Sequence, residues 1–191
     1  MNKIWKYLDV PNHQEISDEV YNYVVNCTNI LQPIHSRFYT DINIPHILKY
    51  SPSLSEFLNQ RFLVPDFILV WAVPPWALPY VHVDFIDPCV KLIWPAQNCA
   101  KSQIKFYDVP KEFLKLNVDP GEPTNNYYEI TEERDWPVLE EANLIRPIAF
   151  DASVAHAVYT APDVTEYRIS FTLEFNKDLF VSKSFEAWSK T

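Results

Sequence analysis

Apolar and polar positions follow two different periods along this chain, and the change comes near residue 66. In the first part, apolar residues recur three or four positions apart, which is the pattern of an amphipathic helix. The first predicted helix is capped at Ser17 and has an apolar face. That face consists of Ile16, Val20, Val24 and Val25. Two more helices are predicted over residues 44–49 and 52–61, the second capped by Ser51 or Ser53.

Beyond residue 66, the pattern is that of short strands separated by turn residues. The first segment, FILVWAV, is a continuous apolar run of the length of a buried strand. The acidic stretch 132–143 is predicted to form a short helix between strands. The later strands are predicted at 80–84, 90–94, 103–107, 127–131, 147–150, 155–160 and 167–175. Seven or eight short strands at this spacing predict a sandwich or jelly roll.

The two periods together predict one α+β domain. A chain of 191 residues is long enough for one sizeable core. We expect residues 1–65 to be a mainly helical support region, residues 66–176 to form the β core, and residues 177–191 to be a C-terminal tail. Helices packed against a β-roll bury the apolar faces of both the helices and the sheet.

Composition and charge exclude several classes of function. One glycine cannot supply a glycine-rich phosphate loop, and the 16 prolines indicate turns built without glycine. The net charge of -9 disfavours nucleic acid and anionic membrane surfaces as partners. No apolar stretch is long enough to span a membrane, and the N-terminus turns polar too early for a signal peptide. Three cysteines without a CxxC pair indicate reduced thiols and a cytoplasmic protein.

The segment YVHVDF, residues 80–85, contains the first candidate metal ligands. Side chains alternate along a strand, so Tyr80, His82 and Asp84 share one face. An imidazole and a carboxylate two residues apart can bind one metal ion. By itself His-x-Asp favours a surface or hydrogen-bonded histidine beside a solvated acid over a metal site.

Two later segments carry the other candidates. His156 lies in FDASVAHAVY, where a lone histidine among apolar residues is more often part of the core. In YRISFTLEF, Arg168, Ser170 and Thr172 share one face of a strand whose other face is apolar. An inward arginine needs an anionic partner, which is either an internal acid or a bound carboxylate.

A turn at Pro162 and Asp163 predicts a hairpin that places His156 opposite Arg168. A metal held by His156 would then lie about the length of a small dicarboxylate from the guanidinium. Two histidines and one carboxylate form the facial triad of non-haem Fe(II) oxygenases, which leaves coordination positions open.

On these residues the chain resembles the 2-oxoglutarate/Fe(II)-dependent dioxygenase superfamily. The family pattern of His-x-Asp, a distant His and Arg-x-Ser is present as His82-Val83-Asp84, His156 and Arg168-Ile169-Ser170. The stretch FDASVAHAVY is similar to the segment leading to the distal histidine. The stretch LIWPAQNCAKSQIKFYDV resembles the middle strands of small stand-alone members, some of them from phage and marine microbes. The resemblance covers residues 66–176.

The resemblance implies a double-stranded β-helix with support helices, in which His82, Asp84 and His156 bind Fe(II). Arg168 and Ser170 would bind the distal carboxylate of 2-oxoglutarate, and Tyr80 would contact the same cosubstrate. Trp94 and Asn98 are further candidates for the pocket wall. The implied reaction consumes O₂ and hydroxylates a C–H bond of a protein side chain or small molecule, releasing succinate and CO₂. Asp84 argues against halogenation.

Two alternatives stay open at this point. The chain could be a catalytically silent jelly roll that serves as a binding or structural module. It could also be a cupin-like metalloenzyme that needs no 2-oxoglutarate, in which case the inward Arg168 has no role. A zinc hydrolase is disfavoured because the chain has no HExxH motif.

Overall fold

The computed structural model describes residues 3–27, 38–41, 43–117, 127–132 and 134–175. Within these ranges the helices are α1 (His13–Cys27), α2 (Ile44–Tyr50) and α3 (Pro52–Gln60), with a 3-10 turn at Lys111–Phe113. The strands are β1 (Trp5–Tyr7), β2 (Phe38–Asp41), β3 (Phe67–Val73), β4 (His82–Val83), β5 (Val90–Gln97), β6 (Ser102–Tyr107), β7 (Leu114–Asn117), β8 (Tyr127–Ile130), β9 (Val138–Asn143), β10 (Ile148–Asp151), β11 (Ala155–Thr160) and β12 (Arg168–Glu174). No helix in this part of the chain is long and apolar enough to cross a membrane.

The strands that the structure describes form two antiparallel six-stranded sheets. The first sheet has the order β1-β10-β5-β12-β3-β2, and the second has the order β7-β8-β4-β11-β6-β9. From β3 to β6, and again from β9 to β12, successive strands alternate between the two sheets. This alternation winds the chain into a double-stranded β-helix, a form of jelly roll. The predicted α+β fold class with a double-stranded β-helix core is therefore confirmed.

The helices cover the outer face of the first sheet. Ile16, Val20 and Val24 of α1 are fully buried against it. Val25 was predicted to belong to the same apolar face, but this is wrong, since the residue is 44% exposed. Trp94 of β5 stacks on Phe171 of β12, with ring centroids 5.6 Å apart. This layer fixes β5 and β12, because both strands are then buried on the helix side and on the side facing the second sheet.

The predicted cap of α1 is wrong, since the helix begins four residues before Ser17, at His13. The Ser17 hydroxyl lies inside the helix instead. Its Oγ is 2.9 Å from the carbonyl oxygen of His13 and 2.6 Å from that of Pro95. The contact with Pro95 ties α1 to β5. The predicted second and third helices are confirmed as α2 and α3, with Ser51 at the cap position of α3 but without a side-chain capping bond among the described residues.

The predicted helix at 132–143 is also wrong, because residues 138–143 form β9. This strand pairs with β6, from Gln103 opposite Asn143 to Tyr107 opposite Val138. Ala142 is buried, and sheet pairing overrides the helix-favouring acidic composition. Strands β1, β2 and β7 were not predicted, since three or four residues are too few to show a clear alternation. The predicted tail, residues 177–191, lies outside the described residues.

Candidate metal centre

Two histidines face each other across β4 and β11 of the second sheet. His82 and His156 are direct partners in this antiparallel pair, and their ring centroids are 4.6 Å apart. Asp84 follows β4, where its backbone N–H donates to the carbonyl of Ala152 at 3.1 Å. One ligand atom from each of His82, Asp84 and His156 lies within 4.8 Å of the others. The sheet register thus places the three predicted ligands around one point.

Backbone carbonyls fix the tautomer of both histidines. Nδ1 of His82 is 3.0 Å from the carbonyl oxygen of Tyr80, and Nδ1 of His156 is 2.9 Å from that of Val154. A carbonyl accepts hydrogen bonds, so each Nδ1 carries the proton and each Nε2 presents a lone pair. Both Nε2 atoms are 3.4 Å from an oxygen of Asp84. Two imidazole nitrogens and one carboxylate oxygen suit Fe(II), so the donor set fits a metal ion.

Burial and the neighbouring charges together set the protonation of this cluster. Burial lowers the pKa of His156 to about 4, although the Asp84 carboxylate opposes the shift. Burial also disfavours the charged form of Asp84, but Lys91, His156 and His82 together outweigh this effect and hold the pKa of Asp84 well below its usual range. At neutral pH, His156 is therefore a neutral donor and Asp84 is an anion, as metal ligands must be.

A cavity of about 70 Å³ opens beside the cluster, inside the barrel. A single water needs roughly 10–15 Å³ by the same kind of measure, so the cavity has room for a small organic acid. His82 and His156 lie on its second-sheet wall, and Arg168, Ser170 and Thr172 lie on its first-sheet wall. Its lining residues are Trp71, Val73, Tyr80, His82, Lys91, Ile93, Ile104, Phe150, His156, Val158, Arg168, Ser170 and Thr172.

The polar face of β12 contributes a buried hydroxyl, that of Ser170, to the cavity wall. Ser170 is 1% exposed, and its Oγ has no hydrogen-bond partner among the residues that the structure describes. The neighbouring Thr172 differs, because its Oγ1 accepts from Nε1 of Trp71 at 3.3 Å. Arg168 is 5% exposed and lines the same cavity. Buried polar atoms are rarely left without a partner, so the wall beside Ser170 is suited to a ligand oxygen.

Tyr80 lies at the open side of the cavity. It is 38% exposed, and its ring stacks on His82 with centroids 5.9 Å apart. The ring of Tyr127 stands perpendicular to it, also at 5.9 Å. Burial, with the nearby Tyr127 and Glu129, raises the pKa of Tyr80, so the phenol keeps its proton at neutral pH. The structure therefore brings Tyr80 to the same cavity as the other predicted site residues.

The predicted hairpin between His156 and Arg168 is wrong. His156 is on β11 of the second sheet and Arg168 is on β12 of the first, so the strands are not paired. The two side chains reach the same cavity from opposite walls instead. The two residues are close because the two sheets face each other across the barrel. A count of residues around Pro162 cannot predict this arrangement.

Two other residues do not lie where they were expected. Trp94 is fully buried among the helices, on the far side of the first sheet from the cavity. Asn98 donates through Nδ2 to Glu166 and to the carbonyl of Tyr167, at the end of β5. Lys91 also lines the cavity, although it was not among the predicted site residues. The signal was available, since alternation along VKLIWPAQ places Lys91 on the face opposite Leu92 and Trp94.

The fold is similar to that of a known iron-binding protein. No protein-family model matches the sequence, and no curated protein matches it. Among solved structures, the chain is similar to the epimerase SnoN in complex with Fe3+, alpha-ketoglutarate and nogalamycin RO. The TM-score is 0.54 at 14% identity, over 88% of this chain and 77% of that one. At this identity the likeness shows a shared fold.

Two prolyl hydroxylases align less closely. The enzyme from Trichoplax adhaerens, in complex with a hypoxia-inducible-factor peptide fragment, gives a TM-score of 0.44 at 14% identity, over 91% of this chain and 83% of that one. The prolyl-4-hydroxylase from Pseudomonas putida gives 0.41 at 14% identity, over 90% of each chain.

Proposed function

We propose that this protein is a 2-oxoglutarate- and Fe(II)-dependent oxygenase, with His82, Asp84 and His156 as the iron ligands. The observation that carries the proposal is the position of the two histidines of this cluster opposite Arg168 and Ser170 in one small cavity. A silent jelly roll needs neither feature. A cupin-like enzyme without a cosubstrate needs the cluster but not the inward guanidinium. The fold shared with SnoN, whose structure holds Fe3+ and alpha-ketoglutarate, agrees with this reading.

The first-sheet wall has the chemistry to bind the carboxylate of 2-oxoglutarate that is remote from the metal. The guanidinium of Arg168 is shaped for two parallel hydrogen bonds to a carboxylate. Ser170 Oγ can donate a further bond to the same group and would thereby gain the partner that it lacks among the described residues. Tyr80, which also lines the cavity, is proposed as a third contact.

The charges around the cavity favour a dianion. Arg168 and Lys91 line it, while Asp84 and Glu174 contact Lys91, so these four charges cancel. A divalent metal ion adds two positive charges in a largely buried place. Uncompensated buried charge is costly, and a dicarboxylate such as 2-oxoglutarate balances it.

Bound iron, 2-oxoglutarate and O₂ together supply an oxidation that releases succinate and CO₂ and hydroxylates a C–H bond. The chain's own residues prepare for it. The hydrogen bonds from Nδ1 to Tyr80 and Val154 keep the imidazoles in the metal-binding tautomer and orientation. The apolar lining of Ile93, Ile104 and Phe150 excludes water, which strengthens polar contacts inside the cavity.

The prime substrate is proposed to approach over Tyr80 and Tyr127. Strand β8 pairs with β4, so Glu129 lies beside His82 and extends the inner face of the second sheet past the metal ligands. Asn117 Nδ2 donates to Glu129 at 2.6 Å and to the hydroxyl of Tyr127 at 2.8 Å, which orders this surface. Aromatic rings and polar groups side by side suit either a protein side chain or a small molecule.

The test is succinate formation by protein loaded anaerobically with Fe(II), then given 2-oxoglutarate and O₂. We expect slow turnover without any prime substrate, and its loss in His156→Ala. The matched control is His13→Ala on α1, remote from the cavity, which should keep the activity. No succinate from the wild type, together with no Fe(II) binding, would refute the proposal and favour a silent jelly roll. Fe(II) binding without succinate formation would favour a cupin-like enzyme.

A further inference from the structure

A lysine is buried inside the barrel next to the candidate metal ligands. The side chain of Lys91 is 7% exposed, and its Nζ lies 3.1 Å from Oδ2 of Asp84 and 2.6 Å from Oε1 of Glu174. The two carboxylates are similarly buried, at 11% and 8%. A buried ammonium is stable only where acceptors compensate it, so these contacts define where the Lys91 side chain can lie.

We propose that Lys91 is a positioning residue for Asp84, and that Glu174 balances the charge of Lys91. The inference rests on the proposed function, in which Asp84 is an iron ligand. The ammonium contacts Oδ2 of Asp84, which also lies 3.4 Å from Nε2 of His156. Oδ1, which is 3.4 Å from Nε2 of His82, has no contact with the ammonium and is left for the metal. Asp84 then contributes one oxygen, and the coordination positions that the cosubstrate and O₂ need stay open.

Glu174 makes this arrangement compatible with a metal ion. Lys91 without a counter-charge would repel a divalent cation bound a few ångströms away, at Asp84. Glu174 is the direct cross-strand partner of Lys91 between β12 and β5, and its carboxylate cancels that charge. The same strand carries Arg168 and Ser170 on the same face. Strand β12 therefore supports the metal ligand at one end and the cosubstrate at the other.

The test compares cobalt(II) binding by three proteins, using affinity and the visible d–d absorption spectrum. The wild type is compared with Lys91→Met/Glu174→Gln, which removes both charges together, and with Glu174→Gln, which keeps the contact between Lys91 and Asp84. A control pair, Lys105→Met/Glu141→Gln, removes a cross-strand ion pair of 3.6 Å between β6 and β9. Thermal melting checks that each protein folds.

We expect the Lys91→Met/Glu174→Gln protein to bind cobalt(II) about 10- to 100-fold more weakly, with a changed spectrum, as is usual when a partner of a metal ligand is lost. Glu174→Gln should keep the wild-type spectrum with weaker binding, and the control pair should match the wild type. The inference is overturned if the double variant keeps the wild-type spectrum, or if Glu174→Gln alone changes it. Should the double variant not fold, the cobalt(II) affinity of Glu174→Gln still tests the inference, because an affinity equal to that of the wild type would contradict the charge balance between Lys91 and Glu174. A wild type that binds no cobalt(II) would instead refute the proposed metal centre.

Discussion

The two faces of β12 differ in almost every respect, although they belong to the same seven residues. On the outer face, Ile169, Phe171 and Leu173 pack against the helix-covered core and are at most 2% exposed. On the inner face, Arg168 and Ser170 are equally buried but line the cavity. The outer face has all the contacts that its side chains need. On the inner face, the Ser170 hydroxyl has no hydrogen-bond partner among the described residues, and a ligand oxygen would supply one.

This difference separates stability from function along one strand. Apolar side chains in a closed core contribute through burial, and their loss leaves a cavity. Polar side chains toward the site contribute little to folding, because burial costs them hydration. Substitutions on the outer face should therefore change unfolding, and substitutions on the inner face should change ligand binding. The following predictions test that separation.

The largest effect is expected at the metal ligands, which face the inner surface of β12. His82→Ala should abolish stoichiometric Fe(II) binding, because it removes one of only three protein ligands. The other coordination positions of the iron are filled by exchangeable groups, which cannot hold the metal by themselves. The fold should persist, since the side chain of His82 is 23% exposed and lies outside the helix-side core. Metal analysis after gel filtration, with circular dichroism, measures both. Retained stoichiometric iron would contradict the ligand assignment.

On the outer face, Phe171→Ala should lower the free energy of unfolding by about 3–5 kcal/mol, as is usual for a fully buried phenylalanine. The folded fraction should still bind Fe(II) and 2-oxoglutarate with near wild-type affinity. Denaturant unfolding, followed by titration at low temperature, checks this. If the variant is stable but binds neither ligand, the two faces are not separable.

On the inner face, Arg168→Ala should weaken 2-oxoglutarate binding by about 2–5 kcal/mol, the usual cost of losing one partner of a buried charge pair. Metal affinity should change far less, because no metal ligand is touched. The control is Arg134→Ala, whose guanidinium lies 3.9 Å from the centroid of the Trp136 ring. Calorimetric titration with manganese(II)-loaded protein gives both affinities. Equal losses of metal and cosubstrate would indicate misfolding or another role for Arg168.

The smallest effect is expected for Ser170→Ala. The loss of one hydrogen bond should weaken 2-oxoglutarate binding by roughly 1 kcal/mol. Stability should stay the same or rise slightly, because the hydroxyl has no partner among the described residues. The same titration, with a melting curve, tests both statements. Destabilisation by more than the loss in affinity would show that Ser170 is a folding residue.

The parts of the molecule predicted from sequence are those that depend on neighbours along the chain. Alternation alone places Arg168 and Ser170 on one face of β12 and Phe171 on the other. The spacing of His82 and Asp84 likewise brings both to one site. The short α2 and α3 helices follow from local periodicity and from the prolines in their first turns.

The parts that were missed depend on partners far away in the sequence. Residues 138–143 form strand β9 because they pair with β6. Their acidic composition alone led to the wrong prediction of a helix. The hairpin around Pro162 failed because β11 and β12 enter different sheets, and turn chemistry does not encode that choice. The contact of Lys91 with Glu174 joins residues on β5 and β12, and only their register reveals it.

The most direct test of the account is whether 2-oxoglutarate stabilises the protein through the metal. The melting temperature would be measured for metal-free and manganese(II)-loaded protein, each with and without 2-oxoglutarate under anaerobic conditions. A ligand that binds the native state stabilises it in proportion to its affinity and concentration. We expect a clear rise in the melting temperature when 2-oxoglutarate is added to the manganese(II)-loaded protein, and a much smaller rise without metal. An equal response in both, or none in either, would contradict a cavity that joins metal and dicarboxylate.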